Sequence, residues 1–160
     1  MGQHETILQP MSDEVFAEYL EGAIASYAKS NVDSGNWPAD EALEYSRADH
    51  DKLLPQGAQT PDHYLFEIKE APGGTTVGAV WFAVLEARHV RTAFVYDLRI
   101  GEEYRRRGHA TAAMEQVERH VREMGATRLG LHVFAFNSGA QALYEKLGFE
   151  VLSHNLQKTL

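Results

Sequence analysis

At 160 residues, with 44% hydrophobic and 24% charged residues, the chain has the size and composition of a single globular domain spanning residues 1–160. Its formal net charge of −8 excludes the broad basic surface on which nucleic-acid binding relies. The absence of cysteine excludes disulfides, thiolate metal sites and a cysteine nucleophile, and fits a reducing cytoplasm. The longest apolar runs, such as Val80–Leu85, are far shorter than a membrane span, and no signal-peptide pattern opens the chain, so a soluble cytoplasmic protein is expected. Met1 to Thr6 formally match a myristoylation pattern, one short enough to arise often by chance.

Thr6–Met11 reads as a first strand, and Ser12 as the N-cap of a helix whose Val15, Phe16, Tyr19, Leu20, Ala23, Ile24 and Tyr27 form one apolar stripe. A more polar surface helix is expected from near Pro38 to about Leu54, followed by a loop at Pro55, Gly57 and Pro61. Strands at His63–Ile68 and Thr76–Leu85 flank the turn Pro72-Gly73-Gly74, and Ala93–Ile100 continues the meander. From Gly108 the apolar positions Ala110, Met114, Val117, Val121 and Met124 give a helix that Gly125 ends. Leu129 to Ala135 carries apolar or aromatic residues on both faces and predicts a central strand. Ser138 and Gln141 have capping-box spacing at the start of a helix that stops at Gly148, and Phe149–Leu152 with the C-terminal segment supplies the last strand or two. A strand joined through a helix to another strand implies a parallel pair, so the class is α/β with a mixed sheet.

Arg105, Arg106 and Arg107 stand immediately before Gly108, where the last long helix but one begins. A helix N-terminus offers unpaired backbone N–H groups, and here the glycine admits a ligand to the backbone while Ala110 and Thr111 keep the first turn uncrowded. The pattern reads as an anion cradle, with a solvated charged turn as the plain alternative. It lacks the Gly-Lys-Ser/Thr ending of a P-loop.

Arg105-x-x-Gly108-x-Ala110, following the strand Tyr96–Ile100, resembles the acetyl-CoA signature of the GCN5-related N-acetyltransferases. Asn137-x-x-Ala140-x-x-Leu143-Tyr144-x-x-Leu147-Gly148-Phe149 is similar to that family's other recurrent segment, and together the two cover about residues 94–152. The resemblance implies an acyl-CoA N-acyltransferase fold, a central mixed sheet flanked by helices, with acetyl-CoA as co-substrate, no metal, and an amine-bearing acceptor, in a monomer or homodimer. It implies that Arg105, Arg106, Arg107, Gly108, His109, Ala110 and Thr111 bind the CoA pyrophosphate largely through backbone N–H groups. Leu98, Arg99 and Ile100 would offer backbone hydrogen bonds to the pantetheine arm, with Asn137 and Ala140 on its far side, between splayed strands at 94–100 and 128–136. Tyr144 would stand beside the thioester sulfur. A CoA-binding module without catalysis is the alternative reading.

Tyr144 is the general acid in this scheme. Asp97 is the leading base, with Glu86 and His132 as alternatives; family members often use a glutamate where this chain has Tyr96 and Asp97, and a structural carboxylate paired with Arg99 is the plain reading of Asp97. The His109 and His120 side chains are expected to face solvent, and no histidine set has metal-ligand spacing. Acceptor specificity is expected near Tyr27, Trp37, His63 and Glu86.

Overall fold

A computed structural model describes residues 5–160; the start of the myristoylation match lies outside the described residues. The first strand, β1 (Glu5–Pro10), leads into α1 (Asp13–Asp33), which Ser12 caps by accepting the Val15 N–H at 3.2 Å. The second helix, α2 (Ala42–Leu53), starts later than expected. It lies on α1, with the Ser46 hydroxyl donating to the Ile24 carbonyl at 2.7 Å. Three strands follow, β2 (His63–Ala71), β3 (Thr75–Ala87) and β4 (Val90–Ile100), then α3 (His109–Glu123), β5 (Arg128–Leu131) and α4 (Ser138–Lys146).

The sheet order is β1-β2-β3-β4-β5, antiparallel through β4, with β5 parallel to β4 as the intervening helix requires. Strand alternation sorts its side chains into two cores. Val80, Phe82 and Val84 face α3, where Met114, Val117 and Val121 meet them, while Ala79 and Trp81 face Phe16 and Leu54 on the α1 side. Full burial of a side chain such as Phe82 stabilises by about 1.5–3 kcal/mol. Gly78 is required where it stands: a Cβ there would lie 2.1 Å from the Arg99 carbonyl oxygen across the β3–β4 pair.

Three expectations for the C-terminal part are corrected. The strand expected from Leu129 to Ala135 is four residues long and forms the sheet edge, not its centre. Its pairing stops at Val95↔Leu131 because β4 bulges at the next residue. Beyond it Phe134 and Phe136 stack on each other at 5.5 Å, and the Gln141 side chain donates to the Phe134 and Ala135 carbonyls. Helix α4 is capped by Asn137, one residue earlier than expected. No strand forms at Phe149–Leu152, and every residue from Glu150 to Leu160 is exposed.

Candidate active site

The site begins with the bulge. Trp81 pairs with Asp97 and Phe82 with Val95, so Tyr96 is the extra residue of β4. This shifts the alternation: Ala93 and Val95 before it, and Leu98 and Ile100 after it, all belong to the α3-side core. The consecutive Tyr96 and Asp97 therefore both face α1, where Tyr96 stacks on Trp81 at 4.6 Å and Asp97 meets Tyr19. Because β5 pairs only with Thr92–Val95, the outer edge of β4 from Asp97 to Ile100 has no strand partner among the described residues. Leu98, Arg99 and Ile100 form one wall of this unpaired backbone edge.

At the far end of that wall the chain turns into α3. Arg106 (φ 61°) and Gly108 (φ 86°) both adopt the left-handed region, an arrangement that curls successive N–H groups into a concave donor surface. Gly108 is the N-cap of α3, not a first-turn residue, and no side chain caps the helix. The first intrahelical bond runs from the Ala112 N–H to the Gly108 carbonyl, which leaves the N–H groups of His109, Ala110 and Thr111 open. A Cβ on Gly108 would meet nothing within 4 Å, so the space beside the helix start is open.

The three arginines behave differently from one another. Arg105 folds back, its Nε donating to the Ile100 carbonyl at 2.9 Å, and so ties the loop to the end of β4. Arg107 lies over the Tyr104 ring at 5.8 Å. All three remain exposed. His109 corrects the expectation of a solvent-facing ring: it is buried, Nδ1 bonded to the Thr6 hydroxyl and Nε2 to the Glu70 carboxylate, each at 2.9 Å. Its side chain thus anchors the start of α3 to β1 and β2, and only its backbone N–H faces the cradle. His120 is half-buried and stacks on Phe66 at 5.8 Å.

Tyr144, on α4, packs edge-on against Phe149 at 5.6 Å, with no hydrogen bond to its hydroxyl among the described residues. Burial, and secondly the nearby charge of Asp97, push its phenol up to about 12. The Asp97 charge is thus close enough to act on the Tyr144 phenol. The Asp97 carboxylate is held through Oδ2, which accepts from the Tyr19 hydroxyl at 2.6 Å and from Arg99 Nε at 3.0 Å, so the pairing with Arg99 is present. Oδ1 has no hydrogen-bond partner among the described residues. Arg99 also lies over the Tyr19 ring at 5.6 Å, so its side chain turns toward α1.

The other base candidates are elsewhere. Glu86 pairs with Arg91 at 3.1 Å near the β3–β4 turn, toward the end of β4 remote from the bulge. His132 is exposed and meets the edge of Phe134 at 5.0 Å. Asn137 accepts the Ala140 N–H on Oδ1 at 3.2 Å, which leaves its Nδ2 without a hydrogen-bond partner among the described residues. Tyr19 was legible only as part of an apolar stripe; its hydroxyl was the signal that such a residue needs a polar partner. Tyr27 meets Trp37 edge-on at 5.3 Å on the α1 side, and His63 lies at the bulge.

No group of three or more His, Asp or Glu able to hold a metal occurs among the described residues, and no helix among them is long and apolar enough to cross a membrane.

Comparison with known proteins matches this geometry to a family. The model for the acetyltransferase (GNAT) family matches residues 21–149. Two Bacillus subtilis proteins named as uncharacterized N-acetyltransferases are similar over nearly their full lengths. YdgE is 32% identical over 153 residues, covering 96% of this chain and 97% of its own. YycN is 35% identical over 154 residues, covering 96% and 98%. The crystal structure of YycN superposes with a TM-score of 0.92, covering 98% of this chain and 99% of that one. A GCN5-related N-acetyltransferase from Ralstonia eutropha shares the fold at 18% identity, with a TM-score of 0.69 over 98% of this chain.

Proposed function

The chain belongs to the GNAT family of acetyltransferases, and on that premise we propose that it moves the acetyl group of acetyl-CoA onto a primary amine of a small molecule, protein or peptide. The observation that carries this reading is the coincidence of two features: β4 and β5 part at the Tyr96 bulge, and the uncapped N-terminus of α3 lies at the same edge. One suits an extended amide-bearing arm and the other a diphosphate. The N–H groups from Arg106 to Thr111 would receive the pyrophosphate, with Arg105 holding the loop and Arg106 and Arg107 adding charge. The β4 edge at Leu98–Ile100 and the Asn137 amide, next to Ala140, would flank the pantetheine.

In the reaction the amine nitrogen attacks the thioester carbon, the C–S bond breaks, and the sulfur leaves as thiolate. Tyr144 delivers its phenolic proton to that sulfur as charge appears, a role supported by its unpartnered hydroxyl. Asp97, its Oδ2 fixed by Tyr19 and Arg99, takes the nitrogen's proton on Oδ1 through a water. Products are the amide and CoA, and solvent returns one proton to Tyr144 and removes one from Asp97. Orientation of both reactants in one cleft supplies much of the acceleration. The reading includes a single-domain cytoplasmic enzyme, monomer or homodimer, acting away from membranes and nucleic acids.

Titration calorimetry with acetyl-CoA and CoA tests the donor: micromolar to sub-millimolar binding is expected, and none at millimolar ligand would overturn it. Screening amines for free-thiol release separates an enzyme from a binding module.

A further inference from the structure

We propose that His63 selects the acceptor by donating a hydrogen bond from Nε2–H to an uncharged oxygen carried beside the reactive amine, as in an amino amide or a peptide N-terminus. This rests on the acetyltransfer reading above and adds the class of acceptor.

The inference starts from one hydrogen bond. The Trp81 indole nitrogen lies 3.0 Å from His63 Nδ1. An indole N–H can only donate, so Nδ1 must be the unprotonated nitrogen and the neutral ring carries its proton on Nε2. Protonating Nδ1 would set two N–H groups against each other. Burial also pushes the His63 pKa down, offset in part by the Asp62 charge. The other titratable groups facing this ring from packed elements are Tyr96 on β4 and, across Trp81, His50 on α2. His63 is therefore a neutral donor with a fixed tautomer, and it is unsuited to act as the base.

Its position gives that donor a use. The ring stacks on Tyr96 at 5.6 Å, and Tyr96 is the bulge residue at which β4 and β5 part. No protein acceptor meets Nε2 among the described residues, and the residue is only half-buried, so the N–H is left available to a ligand beside Tyr96. Charge decides which oxygen fits. Asp62 adjoins the ring, and the cations of β2 and β4 are already paired, Lys69 with Glu67 at 3.9 Å and Arg99 with Asp97 at 3.0 Å. A carboxylate would have to compete for a cation already paired, whereas an amide carbonyl needs only the donor. The face of Tyr96 and Trp81 provides an apolar surface beneath it.

Two measurements test this. Long-range 1H–15N NMR of the labelled protein at neutral pH should show His63 as the Nε2–H tautomer; an Nδ1–H tautomer or an imidazolium overturns the proposal. Steady-state kinetics should then compare phenylalaninamide, phenylalanine and phenethylamine with acetyl-CoA saturating. The amide should exceed the plain amine about tenfold in kcat/KM, the size of one hydrogen bond, and the free acid should be poorest. His63→Phe should shrink the amide-to-amine ratio to within about twofold, with His63→Asn, which keeps a donor, restoring part of it. An unchanged ratio in His63→Phe, or no transfer to any of the three while acetyl-CoA binds, overturns the proposal alone. Failure of acetyl-CoA to bind overturns the reading beneath it.

Discussion

The parts of the molecule before and after Ile100 are built on different terms. Up to Ile100, side chains close the structure: Ile68, Val80 and Phe82 are 0% exposed, Ser46 and Glu67 are buried with partners, and hydrogen bonds join α1 to α2 and to β4. After it, only α3 is well packed. Helix α4 has no buried residue, β5 has four residues, and backbone donors stand open at the start of α3. The first part holds positions; the second presents polar groups that a ligand would satisfy. Close packing is thereby concentrated before Ile100 and open backbone donors after it, with Asp97 and the Leu98–Ile100 edge at the boundary between the two.

The largest effect should come from breaking the packed part. Phe82→Ala, at a fully buried site between Tyr64 and Phe66, should lower unfolding free energy by about 3–5 kcal/mol in chemical denaturation. The same truncation at the exposed Phe136 should change it by no more than about 0.5 kcal/mol. Equal losses would show that the loop after β5 is as firmly built as the sheet.

Next comes chemistry without packing. Tyr144→Phe keeps the ring against Phe149 and removes only the hydroxyl, so kcat should fall about 10²-fold or more, roughly 2.7 kcal/mol, with the acetyl-CoA Kd changed only a few-fold. A phenol pushed up to about 12 keeps its proton through the working range. Wild-type kcat should accordingly show no alkaline limb from this residue below about pH 10. A kcat within twofold of wild type, with chemistry rate-limiting, would remove Tyr144 as the acid.

The order of strands and helices up to Gly125 was legible because each segment carries its own period, and the glycine start of α3 was legible because it is a local signal. What was hidden depends on partners. Leu129–Ala135 has a strand's composition throughout, yet a strand lasts only as long as its neighbour, and the Tyr96 bulge ends that at Leu131. His109 sits between an arginine run and a polar helix, which reads as surface; only the fold brings Thr6 and Glu70 to it. The Asp97 contact with Tyr19 joins α1 to β4 across 78 residues of sequence, whereas its contact with Arg99 lies within β4 two residues away, and only the nearer was foreseeable.

Gly108 sharpens the contrast from the open side. At φ 86° a β-branched residue would strain the backbone by about 1–3 kcal/mol, so valine would confuse folding with binding. Asparagine tolerates this conformation, and its side chain would enter the space that a Cβ finds empty. Gly108→Asn should weaken acetyl-CoA binding about tenfold in calorimetry with little change in melting temperature. Unchanged affinity in the folded variant would contradict the cradle.

The smallest expected effect lies where the two parts meet. Tyr19 donates to Asp97 at 2.6 Å, and burial first, then the Asp97 charge and that hydrogen bond, raise its pKa well above the usual tyrosine value. Tyr19→Phe should cost only about 1 kcal/mol, because Arg99 continues to hold Oδ2 and the carboxylate is not orphaned. The pH dependence follows from the direction of the shift. Folded Tyr19 keeps its proton at pH values where the unfolded chain loses it, so its contribution is complete below about pH 10 and is lost as pH climbs through the raised value. Denaturation curves of wild type and Tyr19→Phe should therefore stay a constant distance apart from about pH 6 to 9 and converge in stronger alkali. A gap that widened with rising pH would mean that Tyr19 ionises more readily in the folded chain, and that the contact between α1 and β4 strains the phenol instead of sheltering it.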